Sequence, residues 1–301
     1  MSQEPNVLIE LSNALADAVE TVARSIVTVK ARRRLPATGL VWSPDGLIVT
    51  ANHIVERDED VTVVLPDGSE VAAELVGRDP STDVAALRVE ASDLRPAPKA
   101  ANGARPGQIV LALGRPYGSA PQVALGAVSI AGSALRTRGG GRIEGAVRPD
   151  LTRYPGFSGG PLVNAASEVI GMNTSALTRG LPVAIPNAVL DRVVSVLLEK
   201  GRVARGYLGV ALQPVRIPSG LRISGVDQET GLMIVGIEPE SPAEGAGLML
   251  GDTLVSFGGQ EVGDPRQVHE QLGPDSVGKV VAVRLLRAGE LVETSVTPGE
   301  R

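Results

Sequence analysis

The sequence predicts a mainly β protein made of two folded units, and three observations carry that expectation. The chain has 301 residues, more than one domain usually spans. Its 36 glycines and 22 prolines make up nearly a fifth of the residues, against a usual share of roughly an eighth. They punctuate short β-branched runs that follow one another from Ser25 with no helical pattern between them, as in a barrel or sandwich.

Taken in order, residues 1–22 read as a helical segment. Asn6 is placed to cap it, because an Asn side chain accepts from the first free helix N–H groups. Val7, Leu11, Leu15, Ala18 or Val19, and Val22 recur at the i, i+4, i+8 spacing of an amphipathic face, expected to pack on the domain or on a neighbouring subunit. Residues 23–200 form the first unit, with strands SIVTVKA, GLIVTA, DVTVVL before the turn Pro66-Asp67-Gly68, DVAALRV, QIVLAL and VALGAVSI. Arg136 to Gly145, RTRGGGRIEG, reads as a mobile loop. Asn187 is expected to cap the closing helix AVLDRVVSVLLEK, and Gly201 to stop it in the C′ position. A linker at residues 201–206, GRVARG, leads to the second unit, residues 207–301. There YLGVALQPV, GLMIVGIEP, the turn SPAEGAGL, GDTLVSFGG, a helical DPRQVHEQL and two closing strands about Ala288-Gly289 describe a compact α+β module.

Composition removes several functions. With no cysteine there is no disulfide framework, no thiol nucleophile and no thiolate metal site. A net charge of −5 and only one Trp, three Tyr and two Phe argue against nucleic acid as a partner, since neither a basic surface nor a stacking platform is available. No stretch reaches the roughly twenty apolar residues of a membrane span, and the first residues lack the basic start and apolar run of a secretory leader. As written, the chain is expected to be cytoplasmic, or periplasmic or otherwise extracytoplasmic if a leader has been removed.

The residues that carry chemistry are few. Of the two histidines, His269 lies among polar neighbours in QVHEQL and reads as an ordinary surface residue. His53 follows an apolar strand in IVTANHIV, where a strand end holds a side chain rigidly. Ser158 lies in PGFSGGPLVN, whose glycines permit a backbone that side chains would obstruct; such a turn aims the amides of Gly156 and Ser158 at one point, as an oxyanion hole requires. A serine hydroxyl is a poor nucleophile without an adjacent base, which His53 supplies. Asp83, in DPSTDVAAL, would accept the imidazole N–H and fix its tautomer. Each element alone is commonplace, but the chain order His, Asp, Ser is that of the chymotrypsin barrel and of neither subtilisins nor α/β-hydrolases.

With those residues in hand the chain resembles the HtrA/Deg-type serine proteases from about Ala18 to its end. The matching segments are IVTANHIV, GRDPSTDVAALRV, LALGRPYG, PGFSGGPLVN, VIGMNTSA and VAIPNAVL, then RGYLGV, GIEPESPAEGAGLMLGDTLVSFGG and the final hairpin of a PDZ domain. The resemblance implies a chymotrypsin-like double β-barrel at residues 23–200 and a PDZ domain at 207–301. It implies a serine endopeptidase of protein quality control, acting on unfolded polypeptides as a homotrimer or larger oligomer. His53, Asp83 and Ser158 would be the triad, and Gly156 and Ser158 the oxyanion donors. Tyr207, Leu208, Gly209 and Val210 match the loop that binds a peptide C-terminal carboxylate while the ligand adds as a strand. Neither metal nor cofactor is implied. Three positions depart from the pattern. Arg153 stands where an apolar residue near the specificity pocket is usual, and no aromatic precedes Trp42 to make the usual trimer contact. Phe157 replaces an asparagine and leaves two outcomes open: a Gly156–Phe157 peptide flipped so that an oxyanion donor is lost at rest, or a ring that fills a pocket between the barrels with the hole intact. A protease fold that is catalytically weak or inactive, serving as a chaperone or PDZ scaffold, is the competing expectation.

Overall fold

The computed structural model describes residues 6–118, 120–137, 141–152, 154–178, 181–221 and 226–300. The chain divides into two compact units, Met1–Val203 and Ala204–Arg301.

Helix α1 (Val7–Ala23) is capped as expected, Asn6 Oδ1 accepting from the Leu8 N–H at 3.1 Å. Only its second half packs. Ala18 and Val22 are buried beside Leu111, Leu113 and Val163, with Leu15 and Val19 against them, whereas Val7 is 71% and Leu11 40% exposed.

Strands β1 (Ile26–Lys30), β2 (Ala37–Val41), β3 (Leu47–Ala51), β4 (Val61–Val64), β5 (Glu70–Asp79) and β6 (Val84–Val89) close an antiparallel barrel in the order β1-β2-β3-β6-β5-β4. Every residue of β2 and β3 is buried, so these strands are covered on both faces and do not alternate between apolar and polar residues. A second closed barrel, in the order β10-β11-β12-β9-β8-β7, comprises β7 (Ile109–Gly114), β8 (Gln122–Arg136), β9 (Arg142–Asp150), β10 (Pro161–Asn164), β11 (Val169–Thr174) and β12 (Val183–Pro186). Closure leaves neither sheet an unpaired edge. This is the expected mainly β, chymotrypsin-like double barrel.

Two local expectations change. The stretch Arg136 to Gly145 is mostly a strand hairpin: Arg136 pairs with Arg142, Leu135 with Ile143, and Gly132 with Gly145. The Thr137 N–H donates to the Gly141 carbonyl at 2.8 Å; residues 138–140 lie outside the described residues. Ile143 is fully buried, and that burial draws its strand into the ladder. Helix α2 (Asn187–Lys200) does end at Gly201 with φ 72°, but Asn187 does not cap it. Asn187 is the first helical residue, and its amide is drawn to the Val169 carbonyl at 2.7 Å, tying the helix start to β11.

The second unit is an antiparallel sheet in the order β14-β15-β16-β18-β19, built from β14 (Val210–Arg216), β15 (Thr230–Ile237), β16 (Thr253–Phe257), β18 (Val281–Arg287) and β19 (Glu290–Val296). Two short pieces frame it: β13 (Gly206–Tyr207) pairs with β20 (Gly299–Glu300), and β17 (Gln260–Glu261) with β16. Helix α3 (Pro242–Gly245) is capped by Ser241, and α4 (Pro265–Gln271) by a reciprocal Asp264/Gln267 box. Leu208, Leu232, Leu254, Phe257 and Val268 are central to its core.

Candidate active site

Of the three predicted triad residues, His53 and Ser158 line one cleft of the first unit, and Asp83 is buried against the His53 ring. His53 sits in a single 3-10 turn, Asn52–Ile54, at the end of buried β3. Asp83 ends a tight turn ahead of β6, and its φ of 61° places it in the left-handed region, an uncommon conformation for a side-chain-bearing residue. The turn is over-determined. The carboxylate of buried Asp79 accepts from the Ser81 N–H at 2.9 Å and from Thr82 Oγ1 at 2.6 Å, the Asp83 carbonyl accepts from the Asn52 N–H at 3.1 Å, and Thr137 Oγ1 donates to the Ser81 carbonyl at 2.6 Å.

His53 and Asp83 are joined as expected. The His53 backbone N–H donates to Asp83 Oδ1 at 2.8 Å, and ring Nδ1 lies 2.8 Å from Oδ2 and 3.1 Å from Oδ1. The Asp83 side chain is 3% exposed and the His53 ring 27%, so the carboxylate is dry while the far edge of the ring reaches solvent. Thr174 Oγ1, at the end of β11, donates to Asp83 Oδ2. An ionised carboxylate only accepts, so Nδ1 carries a proton, and in the neutral ring Nε2 presents a lone pair.

The nucleophile loop depends on glycine at two points. Gly156 has φ 86°, and a Cβ there would lie 2.4 Å from Pro116 Cβ; Gly159 has φ 87°, and a Cβ there would lie 1.9 Å from the Thr38 carbonyl oxygen. The Thr38 N–H donates to the Ser158 carbonyl at 3.2 Å. Among the described residues the N–H groups of Gly156 and Ser158 donate to no protein acceptor, and both residues line a cleft of about 330 Å³ with His53. Apart from Arg32, the charged or titratable side chains of that lining reduce to His53 and Tyr154; Ala112, Leu151, Pro155, Phe157, Pro182 and Val183 supply its apolar part, and Ser158, Asn173, Thr174 and Ser175 its neutral polar part.

Phe157 packs inside the second barrel and not between the barrels. Its ring, 5% exposed, lies among Val110, Ala112, Leu162 and Ala184 and 5.4 Å from the Tyr154 ring, centroid to centroid. The Gly156–Phe157 peptide is pinned at both ends: its carbonyl accepts from Thr38 Oγ1 at 2.7 Å and its N–H donates to the Tyr154 carbonyl at 3.3 Å. The expectation that a flip of this peptide removes the Gly156 donor also fails on covalent grounds, because the Gly156 N–H belongs to the preceding Pro155–Gly156 peptide. Arg153 lies outside the described residues.

One arrangement departs from the expected triad. Ser158 Oγ does not bond to His53; it lies 3.2 Å from Ser175 Oγ, which is in turn 3.4 Å from His53 Nε2. Sequence reasoning missed both Thr174 and Ser175. They stand side by side in VIGMNTSA, but nothing in that run announces that β11 ends beside Asp83, 91 residues away. The other histidine, His269, is exposed on α4, its Nδ1 against the Pro265 carbonyl at 3.0 Å.

In the second unit the predicted carboxylate loop spans Tyr207 to Val210. Its Leu208 and Gly209 carbonyls are engaged, accepting from Ala243 N–H at 2.9 Å and Glu238 N–H at 2.8 Å, while among the described residues the Leu208 and Gly209 N–H groups donate to nothing. The Tyr207 hydroxyl bonds to the Glu238 carboxylate. The following strand, β14, is the last of its sheet.

Two closed antiparallel barrels carrying His, Asp and Ser in this order place the first unit among the trypsin-like peptidases. A family model for the trypsin-like peptidase domain matches residues 37–172, and one for the PDZ domain matches residues 206–297. The chain belongs to the HtrA-type protease family: it is 30% identical to the solved HtrA-type protease AlgW with a tripeptide, at a TM-score of 0.69 over 95% of this chain and 97% of that one. The serine endoprotease from Yersinia pestis superposes at a TM-score of 0.72 with 28% identity, over 95% and 97%. Among curated relatives, a probable periplasmic serine endoprotease DegP-like of Brucella suis is 35% identical over 268 residues, 86% of this chain and 52% of that protein. One of Halomonas elongata is 37% identical over 277 residues, 89% and 57%. The chain thus spans a little over half the length of the curated relatives it matches. Those relatives are named as periplasmic, so the expectation of a cytoplasmic protein finds no support. Among the described residues no helix is long and apolar enough to cross a membrane.

Proposed function

We propose that this protein is a serine endopeptidase that hydrolyses unfolded polypeptides outside the cytoplasm, with a PDZ domain that captures peptide C-termini. The observation that carries the reading is the dry Asp83 carboxylate holding His53 Nδ1 at 2.8 Å in the same cleft as Ser158. Ser158 Oγ attacks the scissile carbonyl, His53 Nε2 takes the hydroxyl proton and passes it to the leaving amine, water activated by the same nitrogen then cleaves the acyl-enzyme ester and returns the proton to Ser158, and Asp83 holds the tautomer and stabilises the imidazolium. The Gly156 and Ser158 N–H groups, without acceptors of their own among the described residues, receive the developing oxyanion. The apolar lining from Leu151, Phe157 and Val183 suits an apolar side chain beside the scissile bond. No step requires a metal or cofactor.

We assign the peptidase to residues 23–200 and the PDZ domain to residues 207–301, with residues 1–22 as a helical extension, 201–206 as linker, and a homotrimer or larger homo-oligomer as the working form. In the PDZ domain the Leu208 and Gly209 amides would hold a terminal carboxylate while the peptide adds to the edge of β14. AlgW, structurally similar, has been solved with peptides of three and ten residues.

The test is cleavage of a permanently unfolded protein by the wild type and by Ser158→Ala, with products mapped by mass spectrometry. Internal cleavage by the wild type and none by Ser158→Ala is expected. Equal silence of the two would support the scaffold reading, which draws on the interposed Ser175 hydroxyl.

A further inference from the structure

We propose that Ser175 is a resting-state clasp: its hydroxyl occupies His53 Nε2 and holds Ser158 Oγ off its base until substrate filling the cleft displaces it. The inference rests on His53 and Ser158 acting as base and nucleophile. In the neutral ring, with Nδ1 donating to Asp83, Nε2 is an acceptor, so the Ser175 hydroxyl proton points at Nε2 and its oxygen accepts from Ser158. The clasp has a rigid mount. Thr174 is anchored through Oγ1 to Asp83 and pairs with Val183 in β12, and the Ala176 N–H returns to Thr174 Oγ1 at 3.2 Å. The Ser175 side chain, in contrast, is exposed and lines the cleft, so an incoming residue meets it.

The same three atoms offer a proton relay from Ser158 through Ser175 to His53 as the competing role. The contacts, 3.2 and 3.4 Å, are longer than the usual 2.7–2.8 Å of a hydroxyl hydrogen bond, which favours a displaceable clasp over a relay. Such bonds are weak enough to yield to substrate, yet together they disfavour the direct Ser158–His53 contact by a few-fold to about tenfold.

The experiment compares wild type, Ser175→Ala and Ser175→Thr in the full chain, reading labelling by a small fluorophosphonate and kcat and KM on an unfolded protein. Ser175 is exposed, so neither substitution threatens the fold. A clasp predicts that Ser175→Ala labels about three- to tenfold faster, that Ser175→Thr, which keeps the hydroxyl, labels near the wild-type rate, and that any gain on the unfolded protein shows as a lower KM, because displacing the hydroxyl belongs to the binding step. Unchanged or slower labelling of Ser175→Ala, including no labelling of either protein, overturns the clasp; a fall in labelling and kcat together by about 10² identifies a relay instead. Ser158→Ala in the Ser175→Ala background separates the two levels: labelling that survives it refutes the triad reading, whatever Ser175 does.

Discussion

Gly114→Ala tests whether the core of the second barrel sets the position of the nucleophile. A Cβ at Gly114 would lie 2.5 Å from Phe157 Cδ1, 2.9 Å from Cε1 and 3.0 Å from Cγ. Carbon atoms sit comfortably at about 3.5–4.0 Å, so the ring must retreat by roughly 1 Å. The space behind it is filled, since Phe157 is 5% exposed among Val110, Ala112 and Leu162. Overpacking of that kind destabilises by about 1–3 kcal/mol, a fall of about 2–12 °C in melting temperature for a unit of this size. Phe157 immediately precedes Ser158, and displacing a reacting atom by about 1 Å lowers the rate by up to about 10²-fold. Differential scanning calorimetry and steady-state cleavage of an unfolded substrate read the two effects. The double variant Gly114→Ala/Phe157→Leu, whose smaller side chain vacates the clash, should recover part of each. Full activity at an unchanged melting temperature in Gly114→Ala would show that the ring does not couple barrel packing to the nucleophile.

Three further outcomes follow from the same geometry. Thr174→Val removes the hydroxyl that donates to Asp83 Oδ2; hydrogen bonds to charged groups contribute about 1.5–3 kcal/mol, so kcat should fall at least about tenfold with KM little changed, and wild-type kcat would count against Thr174 orienting the carboxylate. Arg266 holds the Asp264 carboxyl down to about 2, below the unfolded value of about 3.9, so this cap contributes stability above pH 4 that is lost as pH falls from 4 towards 2. The carboxylate is 40% exposed, and solvent screening keeps its charge contribution under about 1 kcal/mol. Asp264→Asn should therefore lower the melting temperature of the second unit by a few degrees at pH 7 and by almost nothing at pH 2, and an equal shift at both would refute a charge-based role. A free-acid peptide should bind the Leu208–Gly209 amides more tightly than its C-terminal amide, and equal affinities by calorimetry would rule out carboxylate capture.

What was legible in the sequence was whatever local chemistry announces itself. Gly156 and Gly159 are demanded by positive φ and close backbone approach, so PGFSGG stood out, and His53 and Asp83 sit at the ends of apolar runs that became β3 and β6. Buried β3 was legible as a β-branched run, but β2 and β11, equally buried and each interrupted by glycine, were not, and β5, alternately exposed and half-buried through its first residues, and β10, only four residues long, carried too little pattern. Partnerships across the barrel were out of reach. Nothing in the local sequence pairs Thr174 with Asp83, places Ser175 between Ser158 and His53, or shows that Phe157 fills the second barrel over Gly114. The glycines of RTRGGGRIEG misled in the other direction, because glycine marks a hairpin turn as readily as a loose loop, and the buried Ile143 that extends the ladder weighed less than three glycines in a row. Asn187 misled similarly: its amide finds the Val169 carbonyl of a strand that neighbours it only in the fold.

The central claim is that Ser158 is a nucleophile activated by His53 under the control of Asp83. Its most direct test is the site and rate of phosphonylation: treat the wild type, His53→Ala and Asp83→Asn with a fluorophosphonate, and locate the adduct by tandem mass spectrometry. One adduct is expected, on Ser158, at a rate lowered by several orders of magnitude in His53→Ala and by about 10⁴ in Asp83→Asn, whose side chain would favour the wrong imidazole tautomer. An adduct on another residue, or His53→Ala labelled at the wild-type rate, would contradict it.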